Sequence, residues 1–276
     1  MITAPFESAK ARLEVKVVSG ESSVTSACAS SPLRLLLPRS RGPCVWAYLA
    51  SYGGGFVAGD QTSLDLRLGP KSRCFVTTQA LTKIYRNPRH RPCSHGLTAT
   101  LDDASLLVLA PEPIQAFADS SYSQWQEFHL HSTAGLVLLD WFCSGRAARG
   151  ERWTFTRLQS RNEIFLGGER ILLDSLLLDS AQGSLNGAHR MGRLNCLGLL
   201  VVVGDSLASY AAKILAGVAA APVASRAPTL SSASPLRNGV LLRVAGERME
   251  AVGREIQRCL EFVPELVQDD PWSRKW

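Results

Sequence analysis

The chain has 276 residues, 46% of them hydrophobic and 20% charged, with a formal net charge of +6. This is an ordinary globular composition, enough for one large domain or two small ones. The positive balance is mild and spread along the chain rather than gathered on one face with aromatics between, which argues against a nucleic-acid binder.

Seven cysteines stand at 28, 44, 74, 93, 143, 196 and 259, with no Cys-x-x-Cys. An odd count at such wide spacing fits neither a disulfide framework nor a zinc knuckle, so free buried thiols in a reducing compartment are expected. The N-terminus has no basic n-region followed by an apolar run, so no secretory signal is read. The longest apolar run, 196–203, is far too short to span a bilayer. The expectation is a soluble, cytoplasmic protein with no membrane partner, forming a single domain over 1–276 with residues 1–10 as a flexible tail.

In chain order, residues 11–18 alternate and predict an opening strand, 20–32 are Ser-rich and read as a loop, and 33–37 and 45–49 are short apolar runs. Gly53, Gly54, Gly55 and Gly59 follow within seven positions, which points to positive φ or to close approach by another chain. Residues 64–68 alternate strictly, Gly69-Pro70 turns the chain, and 74–78 returns, so 60–80 is predicted as a hairpin. From 67 to 101 there are seven Lys or Arg (67, 71, 73, 83, 86, 89 and 91) and no Asp or Glu, a positive segment suited to an acidic partner. Strands are read at 97–101 and 105–109, then a rigid corner at Pro111-Glu112-Pro113. Further strands are read at 125–131, 136–142, 153–158, 164–166 and 170–178. The last third predicts a strand at 199–203 and a helix capped by Asp205-Ser206 and running to about 219. A loop over 221–235, a strand at 241–244 and an amphipathic helix over 246–262 complete it. In that helix Met249, Val252, Ile256, Cys259 and Val263 form one apolar stripe. No internal repeat is visible. The predicted fold class is mainly β: a large multi-stranded, β-helix-like sheet scaffold with two α-helices near the C-terminus.

Several residues invite chemistry. Gly54 and Gly59 have P-loop spacing, but Asp60-Gln61 stands where Lys-Ser/Thr is needed and a strand follows instead of a helix, so a phosphate cradle is excluded. Close packing of the turn is the structural reading. His129 and His131 share one strand face and would supply two metal ligands, with no third identifiable; a solvated strand face is the alternative. Asp60, Glu112, Asp119, Asp140 and Glu151 are carboxylates in unusual settings, each otherwise a turn-former or a surface charge. No nucleophile–base arrangement has recognisable local context.

Taken together, Gly53-Gly54-Gly55-Phe56-Val57-Ala58-Gly59-Asp60, then Thr77-Thr78-Gln79-Ala80 and Thr82-Lys83-Ile84-Tyr85-Arg86, resemble the urease accessory protein family called UreD or UreH. Pro111-Glu112-Pro113 with Phe117, Asp140-Trp141 and Gly145-Arg146…Gly150-Glu151 look similar and fall in the same order, so the resemblance covers nearly the whole chain. The chain departs from the family pattern in the Ser-Tyr before the glycines, at Ala58, and in its Ser-rich 20–32 segment. The resemblance implies a non-enzymatic chaperone that binds apo-urease on one side and UreF and the GTPase UreG on the other. Such a scaffold holds no permanent cofactor or metal and carries Ni2+ in transit through a polar passage. Carried over by position, Asp60, Thr77, Thr78, Glu112 and Glu151 would line that passage. Gly53, Gly54, Gly55 and Gly59 let the central turn pack closely, and Lys83, Tyr85 and Arg86 stabilise it or face a partner. Two rival readings are a metal-dependent hydrolase built on His129, His131 and nearby carboxylates, and a binding module for an anionic ligand built on the basic segment 67–91.

Overall fold

Alternation decides the first layer. A computed structural model describes residues 9–39, 42–89, 91–222, 224 and 226–273. Strand β1 (Ala9–Val18) turns its small and aliphatic residues inward and pairs antiparallel with β2 (Glu21–Ala29). The Ser-rich segment is therefore an edge strand and not a loop. The register of β1, rather than any apolar face of its own, holds β2 in place, since β2 buries none of its residues. Residues 9 and 10, expected in a tail, already belong to β1. Next, β3 (Leu33–Leu36) and β4 (Val45–Ser51) start a second sheet.

The middle of the chain is wound as coils with three faces. Strands β5 (Gly55–Phe56), β6 (Gln61–Leu68) and β7 (Arg73–Thr78) form one coil. The next coil is β8 (Thr82–Ile84), β9 (Cys93–Leu101) and β10 (Leu106–Leu109). A third is β11 (Ile114–Ala116), β12 (Ser121–Leu130) and β13 (Gly135–Cys143). Strands of the same face stack in parallel: β6 on β9 on β12, β7 on β10 on β13, and β5 on β8 on β11. The corners stack as well, with Asp102 N–H donating to Leu68 O at 2.9 Å and His131 N–H to Leu101 O at 2.8 Å. The predicted 60–80 hairpin is thus corrected: β6 and β7 lie in different layers, and Gly69-Pro70 carries the chain across a corner. The coils are a structural repeat that the sequence does not display.

Strand β14 (Arg157–Leu166) adds in parallel to β12 and is followed by antiparallel β15 (Glu169–Asp179). Residues 157–158 and 164–166 of the two strands read at 153–158 and 164–166 belong to this single β14, and 153–156 lie outside any strand. Strand β16 (Cys196–Val203) adds to β13, and helix α1 (Ala208–Ala220) follows. The expected Asp205-Ser206 cap is absent: α1 has no side-chain cap, and the Asp205 carboxylate accepts from Asn238 Nδ2 at 2.7 Å. Within the predicted 221–235 loop lies the start of edge strand β17 (Thr229–Leu236), paired to β18 (Gly239–Gly246). Helix α2 (Met249–Cys259) ends near Leu260, and Val263 opens a separate short helix, α3 (Val263–Val267).

The result is a seven-stranded sheet, β15-β14-β12-β9-β6-β1-β2, facing an eleven-stranded one whose main path is β17-β18-β16-β13-β10-β7-β4-β3. One apolar core fills the space between them. A second, with Trp46, Phe75, Val137 and Leu200, lies where the helices cover the other face of the larger sheet. This is why β13 reads as apolar everywhere except Asp140: both of its faces are buried. No helix among the described residues is long and apolar enough to cross a membrane.

Candidate functional site

The inner face of the seven-stranded sheet grades from apolar to polar, rung by rung. In parallel register, Val15, Leu68, Leu101, Leu130 and Leu166 form one rung, and Leu13, Leu66, Ala99, Phe128 and Ile164 the next. The third is Ala11, Leu64, Leu97, Gln126 and Asn162, and the fourth is Ala9, Thr62, His95, Gln124 and Ser160. The last two bring polar side chains into the space between the sheets, across neighbouring strands about 4.8 Å apart.

These groups are satisfied by one another and by Asp140, which reaches across from β13. The Asp140 carboxylate accepts from Gln124 Nε2 at 2.8 Å, Ser160 Oγ at 2.7 Å and Asn162 Nδ2 at 3.0 Å. Tyr122 donates to Gln124 Oε1 at 3.2 Å, and Gln126 Nε2 donates to Asn162 Oδ1 at 3.0 Å. Burial pushes the Asp140 carboxyl above its ordinary value, against the three hydrogen bonds that favour its anion, and the charge of Asp174 adds to the push. Thr62 Oγ1 lies 2.8 Å from His95 Nδ1, and burial lowers the His95 pKa to about 4, so this imidazole is neutral.

Around this stripe lies a cavity of about 70 Å³, room for a few waters, lined by Thr77, Thr78, His95, Glu112, Gln124 and Asp140 among others. Asp140 also lines a pocket of about 450 Å³ between the edges of the two sheets, where Arg243 Nη2 meets Asp174 Oδ1 at 2.7 Å. At the other end, Leu49, Phe56, Thr78 and Thr82 are shared with a third space of about 60 Å³ beside Gly54. The three spaces thus follow one another along the coil axis. Two of the expected hydroxyls are oriented by backbone: Thr77 Oγ1 donates to Ala110 O at 2.7 Å, and Thr78 Oγ1 accepts from Glu112 N–H at 2.8 Å.

Of the five residues expected together, Thr77, Thr78 and Glu112 do meet at this cavity. Asp60 and Glu151 are not among its lining residues. Asp60 closes the glycine turn, its carboxylate accepting Val57 N–H at 2.8 Å. Glu151 pairs with Arg146, whose Nε donates at 2.9 Å and whose Nη2 makes a second contact, and with Arg86 at 3.7 Å. It also accepts Ala118 N–H at 3.3 Å. The Arg146 hydrogen bond, foremost, holds the Glu151 carboxyl below its ordinary value.

The glycine turn forms the third face of the coil. Gly53, Gly54 and Gly59 have positive φ, and Gly55 pairs with Lys83 so closely that a Cβ there would lie 2.1 Å from Lys83 O. Tyr85, just past the end of β8, secures the turn, its hydroxyl donating to Gly53 O at 2.8 Å and its N–H to Phe56 O at 2.9 Å.

The rival sites do not assemble. His129 and His131 border one groove on the outer face of the seven-stranded sheet, yet each has its own partner. His129 Nε2 lies 2.5 Å from Glu127, and His131 Nδ1 lies 2.8 Å from Thr133 Oγ1. Among the described residues no three His, Cys, Asp or Glu side chains gather as a metal-ligand set. The basic segment does not present one surface either: Arg67 pairs with Asp65 outside, Arg73 donates to Leu266 O at 3.2 Å, and Arg86 turns to Glu151.

Reading the sequence did not name Gln124, Ser160 or His95, and it singled out Asp140 as a carboxylate in an unusual setting without placing it in the passage. The signal was present as polar residues at inward positions of otherwise apolar strands, such as Gln124 and Gln126 between Tyr122 and Phe128.

A family profile described as UreD urease accessory protein matches residues 7–276. The urease accessory protein UreD of Sorangium cellulosum is 42% identical over 263 residues, 94% of this chain and 81% of that protein. Its counterpart in Anaeromyxobacter is 40% identical over 263 residues, 95% and 88% of the two chains. The urease accessory protein D of Arabidopsis thaliana is 34% identical over 204 residues, 72% and 69% of the two. With the coil and its glycine turn in place, these likenesses show that the chain belongs to the UreD family of urease accessory proteins, non-catalytic components of urease maturation.

Proposed function

We propose that this protein is the scaffold on which nickel is inserted into urease, binding apo-urease on one side and UreF and the GTPase UreG on the other, in the cytoplasm. Ni2+ is cargo in transit and no cofactor is held permanently. The observation that carries the reading is the row of three neighbouring spaces that share lining residues, with a polar stripe along the middle one. Hydroxyl, amide and carboxylate oxygens hold a divalent cation without the grip of a closed ligand set, which suits release at the far end. Within that passage Asp140 and Glu112 supply carboxyl oxygens. Thr77 and Thr78 border the space with hydroxyls fixed by backbone hydrogen bonds, so neither must be reorganised as water or a partly hydrated ion moves by. The hydrolase reading is set aside, because the family is one of accessory proteins.

The test is reconstitution. Apo-urease, UreF, UreG, Ni2+, bicarbonate and GTP are combined with and without this chain, and urease activity is followed. Activation should require the chain, and Glu112→Ala and Thr78→Leu should reduce it while the complex still assembles on a sizing column. Loss of activation only together with assembly would leave a scaffold without a passage. Activation independent of the chain would overturn the reading altogether.

A further inference from the structure

We propose that His95 is the nitrogen donor of this passage, a point at which a passing first-row divalent cation exchanges one water for the Nε2 lone pair. The inference rests on the nickel-passage reading above and adds to it a residue and a coordination step. Among the residues lining the middle space, His95 contributes the only imidazole; its neighbours on the polar rung, Thr62, Gln124 and Ser160, offer hydroxyls and an amide.

Geometry fixes which nitrogen is available. Thr62 Oγ1 is 3.2 Å from Ser94 O and 2.8 Å from His95 Nδ1. A hydroxyl has one proton, and a carbonyl oxygen can only accept it, so the arrangement that satisfies both contacts has Thr62 donating to Ser94 and Nδ1–H donating to Thr62. Nε2 then carries the lone pair. The ring is 9% exposed, stacks on Phe56 with centroids 5.9 Å apart, and makes no other hydrogen bond among the described residues. A polar partner on one ring nitrogen is the arrangement that orients a metal-binding imidazole and sets its tautomer. Thr62 is accordingly a positioning residue. Because burial disfavours the imidazolium, the lone pair is not lost to a proton near neutrality. Imidazole also suits the first-row metals better than it suits Mg2+ or Ca2+, so this donor gives a largely oxygen-lined path a preference that oxygen alone lacks. With no group of three His, Cys, Asp or Glu ligands gathered among the described residues, a closed ligand set does not hold the ion against release.

The alternative is purely structural: His95 and Thr62 simply satisfy each other within a buried stripe. To separate the two, the full chain is labelled with 13C-histidine and titrated with NiSO4, and paramagnetic broadening of each imidazole resonance is read. The His95 signal, assigned by its absence in His95→Gln, should broaden with added Ni2+. Thr62→Val, which frees the tautomer, should raise the midpoint of that broadening about tenfold. Broadening confined to the outer His129 and His131, with His95 unchanged in the wild-type chain, overturns the inference. Should His95→Gln fail to fold by circular dichroism, the His95 signal is assigned by elimination, by replacing the other four of the five histidines one at a time, and the wild-type and Thr62→Val titrations still decide. Reconstitution distinguishes the two levels of failure. If Glu112→Ala impairs activation while His95→Gln changes neither activation nor metal binding, only the His95 assignment is wrong. If Glu112→Ala and His95→Gln are both without effect, the passage itself is refuted.

Discussion

Replacing Gly55 by alanine tests what the glycine stretch is for. The new Cβ would sit 2.1 Å from Lys83 O and 2.9 Å from Lys83 C and Cβ, all but the last being backbone atoms that cannot swing away. β5 would have to retreat from β8 by about 1.3 Å or more to reach ordinary contact. That displacement takes with it the Phe56 O acceptor of Tyr85 N–H at 2.9 Å and the Gly53 O acceptor of the Tyr85 hydroxyl at 2.8 Å. Two such hydrogen bonds contribute about 1 kcal/mol each. Phe56, buried between His95 and Tyr122, would lose part of its packing, about 1–2 kcal/mol more. Stiffening of the unfolded chain returns about 0.5 kcal/mol. The net expectation is a loss of about 3 kcal/mol, read from urea unfolding at neutral pH. Gly53→Ala is the control: nothing lies within 4 Å of its added Cβ, so only the positive φ of 79° is penalised, by about 1–2 kcal/mol. If Gly55→Ala costs no more than Gly53→Ala, close approach is not the reason for Gly55 and the steric argument fails.

Three further outcomes follow from the same coordinates. Asp140→Ala removes the acceptor of Ser160 Oγ and Asn162 Nδ2, while Gln124 Nε2 keeps Ser160 Oγ at 2.9 Å. Two orphaned donors cost about 1–3 kcal/mol each, relieving the buried carboxylate offsets part, and urea unfolding should show a net loss of about 2 kcal/mol. Glu151 titrates below its ordinary 4.5 when folded, so the stability it contributes is complete above 4.5 and is lost as pH falls through the folded value. The stability difference between wild type and Glu151→Gln should therefore be flat near neutrality and close below about pH 4.5 in a series of unfolding curves; a gap that widened in acid would contradict the pairing with Arg146. A thiol reagent should find Cys28 fast in the native chain, since it alone of the seven is exposed, and burial pushes Cys44 and Cys93 up to about 12.

Much of the fold was legible because inward and outward residues alternate along β6, β9, β12 and β14. What alternation does not encode is the partner of a strand. The apolar inward set of β6 is equally served by returning as a hairpin or by stacking in a coil, and only the matching rungs of β1, β9 and β12 decide between them. The two Ser-rich strands, β2 and β17, were read as loops for a related reason. Both are sheet edges with no fully buried position, so nothing in their composition had to be apolar, and Pro235 is tolerated at such an edge. Helix α3 escaped because its Val263 continues the spacing of the stripe on α2 while the backbone breaks between them at Leu260.

The site was legible only in part, and for a physical reason. Thr77, Thr78 and Glu112 could be named because they sit in segments that resemble a family. The larger part of the polar stripe sits in strands with no such segment, and a single Gln or His at an inward position has no meaning until its neighbours are known. Register supplies them: Thr62 meets His95, His95 meets Gln124, and Gln124 meets Ser160, each on the adjacent strand. Asp140 then answers three of the donors from the opposite sheet. A core selected for stability alone would fill these positions with aliphatic side chains, because a satisfied buried polar network is at best about neutral against good apolar packing. The two lower rungs of the same sheet are filled in that way, so the fold has no general need for polar residues inside it. Their restriction to the rungs that border these neighbouring spaces is the pattern expected when a layer of the core is kept wet for passage, and it is on that restriction that the proposed route depends.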